Sequence, residues 1–103
     1  MRDEVDRYHE IGEALTALGY LWTRLNAGRR PGVRLAPKGW ADFVGCSPTG
    51  QFVAVEVKRE GQEPTSDQLA FGYVVERRGG RYLVVHGAAE LIARLRHDSR
   101  VGT

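Results

Sequence analysis

The run Gln51-Phe52-Val53-Ala54-Val55-Glu56-Val57-Lys58 constrains this chain more than any other segment. It is rich in β-branched residues, which crowd a helix but pack well on a pleated surface, so it predicts a strand. Successive side chains of a strand point to opposite faces. Val53, Val55 and Val57 therefore share one face, and Glu56 shares the other with Lys58. Trp40 to Val44 reads as a second short strand, and Gly45-Cys46-Ser47-Pro48-Thr49-Gly50 between the two is dense in turn formers. Together they predict a hairpin. Any α/β fold for this chain has to be built around it.

The hairpin brings Asp42 next to Glu56. Two carboxylates side by side repel, and a divalent cation stabilises both as anions. An acid pair with an ammonium group is suited to hydrolysing phosphodiesters with the help of Mg²⁺ or Mn²⁺, hard cations that prefer oxygen ligands. Asp42 and Glu56 are then the expected metal ligands. The bland alternative is a solvated strand face carrying a Glu–Lys ion pair, and for an isolated acid-x-Lys triplet that reading wins. Arginine usage weighs against it here. Of the 15 basic residues 13 are arginine, and lysine stands only at 38 and 58. A compact point charge rather than a planar fork is thus kept beside the acid.

These residues resemble the PD-(D/E)xK nuclease superfamily, with Ala41 where the motif name has proline. Within it they are most similar to the VRR-NUC group of virus-type replication and repair nucleases, in its small stand-alone form. The similar segments span nearly the whole chain. Glu4 lies fifteen residues before Gly19, and Arg24-Leu25-Asn26-Ala27-Gly28 follows the family's Arg-x-Asn-x-Gly pattern. Gly39-Trp40-Ala41-Asp42 holds the Gly-x-Pro-Asp position, and Glu56-Val57-Lys58 is followed ten residues later by Gln68, much like a Ser-x-x-Gln segment. Gly79-Gly80 then leads into Tyr82-Leu83-Val84-Val85 as the closing strand. Tyr8, where glutamine is frequent, is a second departure from the pattern. The resemblance implies the backbone carbonyl of Val57 as a third metal ligand. It implies Asp42, Glu56, Lys58 and Gln68 as catalytic residues. Lys58 would position a water and offset charge growing on the phosphate, and Gln68 would hydrogen-bond the water, the lysine or a phosphate. Without the resemblance, Gln68 is a helix-surface glutamine.

The rest of the chain supplies the frame. Asp3 to Leu18 predicts a helix, with Val5, Tyr8, Ile11, Leu15 and Leu18 along one face. Glu4 falls on that face and is an extra candidate metal ligand. Its alternative is an acid at a fraying N-terminus, where the helix dipole favours negative charge. Tyr20 to Asn26 reads as a strand. A helix follows Thr65-Ser66-Asp67 through Leu69, Ala70, Tyr73 and Val74 to Arg78, then a strand from Arg81 to Val85 and a helix from Ala88 to His97. The order matches a restriction-endonuclease-like αβββαβ core: an α/β fold with a mixed central sheet flanked by helices. Residues 1–97 form one expected domain, and 98–103 an expected loose tail.

At 103 residues with 42% hydrophobic and 27% charged content, the composition is that of an ordinary globular domain. No apolar run approaches the roughly 20 residues that span a bilayer, and the charged opening argues against a secretory leader. One cysteine excludes an internal disulfide, and no Cys/His cluster suggests zinc. The expectation is a cytoplasmic protein, in a bacterial cell or a phage-infected host, with no membrane partner and no nucleotide cofactor. The net charge of +2 is modest. Its distribution says more: Arg24, Asn26, Arg29, Arg30, Arg34 and Lys38 lie in an acid-free segment leading into the Asp42 strand. Such a loop is suited to tracking a phosphate backbone, or else it is a solvated loop that aids solubility. The function expected is a metal-dependent DNA endonuclease. By resemblance it acts as a homodimer on branched DNA such as Holliday junctions, dimerising through apolar surface on the first helix or at a sheet edge carrying Leu21 and Trp22. The alternative is a branched-DNA-binding module on a nuclease fold that does not cut.

Overall fold

The computed structural model describes the backbone of residues 4–25 and 36–101, and the side chains of residues 6–25 and 36–97. Helix α1 (Glu4–Ala17) leads into strands β1 (Leu21–Arg24), β2 (Phe43–Cys46) and β3 (Phe52–Val57). Helix α2 (Ser66–Arg77), strand β4 (Arg81–Val85) and helix α3 (Ala88–Val101) complete the order. The four strands form one sheet in the order β1-β2-β3-β4. The first two pairings are antiparallel, and β3 pairs with β4 in parallel, with α2 as the crossover. This is the mixed α/β sheet that the sequence predicts.

The valines of β3 lie where their alternation puts them. Val53, Val55 and Val57 form one core with Phe43, Leu83 and Val85 from the sheet, Ile11 and Leu15 from α1, and Leu91 and Leu95 from α3. The opposite face is covered as well. Helix α2 packs there, so Ala54, Glu56 and Lys58 are buried too. A strand covered on both faces and lying in the middle of the sheet cannot keep its charges in water. That overturns the bland reading of Glu56 and Lys58 as a solvated pair.

Several boundaries differ from the expected ones. β1 is shorter at both ends. The second strand runs from Phe43 to Cys46, not from Trp40 to Val44. Gly39 holds a positive φ of 93°, and a Cβ there would come within 2.6 Å of the Asp67 carbonyl oxygen, so a turn seated against the start of α2 occupies the expected strand start. At the other end the hairpin tightens to a turn after Cys46, where Gly50 N–H donates to Ser47 O at 2.9 Å. Gly45 permits the close β1–β2 pairing, since a Cβ there would strike the backbone carbonyl of Leu21. The final helix runs on to Val101, so residues 98–101 extend α3 instead of starting a tail at 98. On α2, Leu69, Tyr73 and Val74 face solvent, while Gly72 and Val75 are buried against the sheet. Among the described residues, no helix is long and apolar enough to cross a membrane.

Candidate active site

Asp42 sits one residue before the first pair of the β2–β3 ladder, Phe43 with Val55. Continuing that register by one step sets it opposite Glu56. The backbone pins it there: its carbonyl accepts from Leu25 N–H at 2.8 Å, and its Oδ2 accepts from Val57 N–H at 2.8 Å. The carboxylate therefore takes over the donor at the end of β3. Glu56 is 3% exposed, and its Oε2 lies 3.7 Å from Lys58 Nζ. Lys58 is itself buried, at 9% exposure. It continues the parallel ladder past β3 by donating its N–H to Val85 O at 3.0 Å, and its own carbonyl lies 2.8 Å from His86 Nδ1.

Gln68 joins this cluster by way of the helix that follows. Thr65 caps α2 with its hydroxyl, which accepts from Gln68 N–H at 3.2 Å, and Gln68 Oε1 accepts from Thr65 N–H at 2.8 Å. This reciprocal pair is a capping box, in which two otherwise orphaned backbone donors are satisfied. The remaining end of the same amide, Nε2, donates to Glu56 Oε2 at 3.0 Å. Gln68 thus spends its side chain on the helix start and on the acid. It is not the free surface glutamine of the alternative reading.

Burial works against charge on both acids. Removal from water, and then the neighbouring Asp42 carboxylate, push Glu56 up to about 8, with Lys58 pulling back only in part. Asp42 is also raised, mainly by burial; the Val57 N–H, the Arg24 guanidinium and the Lys58 ammonium oppose the rise. Near neutral pH the metal-free pair therefore keeps a proton. Among the described residues Glu56 Oε1 is buried with no hydrogen-bond partner.

Of the expected DNA contacts, Arg24 stacks its guanidinium over the Tyr8 ring, 4.0 Å from the centroid. Lys38 is largely exposed and lies 3.3 Å from Asp67 Oδ2, a surface pair of small energetic weight. Asn26, Arg29, Arg30 and Arg34 lie outside the described residues, as does the side chain of Glu4. Tyr82, unmarked in the sequence, lies against this site. It pairs in register with Ala54 on β3, and its ring passes over Gly72 of α2. Among the described residues its hydroxyl is buried without a hydrogen-bond partner, and it is raised to about 12 by burial, then by the charges of Glu56 and Asp42. The signal was the alternation of β4, but it becomes readable only once β4 is known to run parallel beside β3.

Among the described residues no third His, Cys, Asp or Glu joins the pair. The ligand set on offer is two carboxylates and nearby backbone oxygens. No sequence-family model matches the chain, and no curated protein does. A solved structure of a VRR-NUC domain matches with a TM-score of 0.70 and 26% identity, over 91% of this chain and 95% of that one. By fold and by sequence the chain is similar to this VRR-NUC domain, a domain of nuclease type.

Proposed function

We propose that this VRR-NUC-like domain is a metal-dependent endonuclease that cuts DNA at branch points, four-way junctions in particular. The observation that carries the reading is the buried Asp42–Glu56–Lys58 cluster. A folded domain gains nothing in stability by burying two carboxyl groups side by side, so their presence calls for a chemical use. The cluster suits a divalent cation. Glu56 Oε1 is an unsatisfied buried oxygen, Asp42 is held rigidly beside it, and hard cations take one or two carboxylates and complete their shells with water and phosphate. Asp42 and Glu56 would hold Mg²⁺ or Mn²⁺, with the Val57 carbonyl as a third oxygen and Glu4 as a further candidate. When bound, such a cation polarises the phosphate and acidifies water.

The chain's own groups do the rest. Gln68 fixes the Glu56 carboxylate by its Oε2, which leaves Oε1 directed elsewhere. Lys58, with little freedom in its buried slot, supplies a positive charge close to where charge grows on the phosphate. Arg24, Asn26, Arg29, Arg30, Arg34 and Lys38 are the proposed phosphate contacts. DNA reading by shape and backbone suits a domain of this size better than base readout in the grooves. The place of action is the cytoplasm.

The test is incubation of the protein with a labelled four-way junction and a matched linear duplex, in Mg²⁺, Mn²⁺ or EDTA. Paired incisions near the branch point that vanish in EDTA are expected. Equal cutting of both DNAs would keep the nuclease and remove the branch preference. Binding without cutting in either metal would favour a module that only recognises the branch.

A twofold dimer would present two such sites to a junction of matching symmetry. Strand β1 lies at the sheet edge with Leu21 76% exposed, whereas Trp22 folds back, donating its indole N–H to Thr16 Oγ1 at 2.8 Å. Leu21 and the open edge of β1 are therefore the proposed interface. Sedimentation at micromolar protein should give the mass of two chains, and Leu21→Asp should give one. A wild-type monomer at that concentration would overturn this interface.

A further inference from the structure

The outward turn of the apolar residues on α2 leaves a groove that the chemistry above does not use. It encloses about 580 Å³, within the roughly 300–1,000 Å³ typical of small-ligand sites. Its aromatic part is Trp40, which lies against Phe71 with centroids 4.7 Å apart and ring planes 35° apart. Phe52 and Val74 also line it, and Trp40 and Phe52 are each 39% exposed. Two cations line the same groove, Lys38 and Arg78, along with one anion, Asp67, which is paired to Lys38.

The groove runs along α2 on the face of the sheet that carries Glu56, with Phe52 at the start of β3 on that same face. Trp40 is two residues before Asp42, and Asp67 adjoins the Gln68 that holds Glu56. Phe71 meets Tyr82 edge to face at 6.1 Å, and Tyr82 lies in the field of Glu56 and Asp42. A half-exposed indole with cations nearby matches a nucleotide, which brings a flat base and a phosphate together. A protein partner fits less well, because lysine and aspartate, both of which line this groove, are depleted from protein interfaces. Both faces of a paired base are already covered inside a duplex. Only an unpaired base is free to enter.

We propose that the Trp40–Phe71 groove binds an unpaired nucleobase of the DNA near the bond to be cut, with Lys38 at the start of α2 and Arg78 at its end facing phosphates on either side of it. This rests on the nuclease reading and deepens it. Preference for branched DNA then comes from the availability of an unstacked nucleotide at the branch, as well as from the geometry of its arms.

The test uses the full chain in EDTA. Fluorescence anisotropy compares a fully paired duplex with the same duplex carrying two unpaired thymidines. Trp40→Ala should lose about tenfold or more in affinity for the second DNA and change by less than about twofold on the first. Val74→Asp, which removes no ring and adds a negative charge at an exposed position of the groove, should show the same selective loss. Thermal melts confirm that each variant is folded. Equal losses on both DNAs, no loss on either, or no wild-type preference for the unpaired DNA would overturn the proposal. So would a change in sedimentation with DNA affinity untouched, which would make the groove a contact between protomers. Wild-type cleavage in Mg²⁺ is followed in parallel. Its failure on every DNA would remove the nuclease reading while the binding comparison still decides the groove.

Discussion

Glu56→Gln should abolish DNA cleavage, by at least about a thousandfold, and yet melt at a higher temperature than the wild type in EDTA at pH 8. The amide is nearly isosteric with the carboxyl and can still accept from Gln68 Nε2. What disappears is a desolvated charge held beside Asp42, the cause of the raised Glu56 pKa. Lys58 keeps Asp42 as a counter-charge. The gain is the usual signature of a site whose function is bought with stability. Two other inactivating changes should move the other way. Lys58→Ala leaves Glu56 without its cationic neighbour in a buried slot, and losing one partner of a buried pair costs about 3–5 kcal/mol. Asp42→Ala removes the acceptor of Val57 N–H. All three variants should be inert toward DNA, and only the first should be stabilised. Wild-type rates for Glu56→Gln, or a lower melting temperature, would remove Glu56 from the site.

The second large effect is on pH dependence. The folded-state value for Glu56 is about 8 against 4.5 for the free side chain, so between those limits the folded protein binds more protons than the unfolded one. Stability falls as pH rises wherever that holds. The metal-free protein should thus have its full Glu56-linked stability below about pH 4.5 and lose it progressively up to about pH 8. The slope from this group is at most about 1.4 kcal/mol per pH unit. A divalent cation competes with the proton for the same oxygens, so Mg²⁺ should raise the melting temperature strongly at pH 8 and hardly at pH 5. Subtracting the Glu56→Gln profile removes every other titrating group. A difference curve in EDTA that rises from pH 5 to pH 8, or equal Mg²⁺ stabilisation at both pH values, would contradict the assignment. Cleavage should likewise increase with pH, with a midpoint that moves lower as Mg²⁺ is raised.

How much of this was legible in the sequence depended on how local each signal was. The Asp42–Glu56 approach was readable because a hairpin with a short turn sets its own register, and the pattern of β3 told its two faces apart. That Glu56 and Lys58 are buried was not readable. It follows from α2 crossing over the polar face, and the alternation of one strand carries no information about what covers it. For α2 the sequence marked the helix but not its buried face. Leu69, Tyr73 and Val74 are apolar at helical spacing, yet the face against the sheet is narrow and uses Gly72 and Val75. Hydrophobic character marks a residue as able to be buried without saying by what. Tyr82 escaped notice because its position beside the acids depends on a parallel pairing between strands 24 residues apart, Val57 with Val85 being 28 apart.

The double use of Gln68 has a consequence for how the protein comes into being. One amide starts α2 and holds the acid on β3, so the helix cannot be correctly begun against the sheet without also orienting Glu56. The proposed centre is therefore complete only once the crossover helix has docked on the sheet. A chain still being made, or one opened by thermal fluctuation, would lack the contact that orients Glu56. On the nuclease reading, DNA would meet the complete centre only in folded molecules.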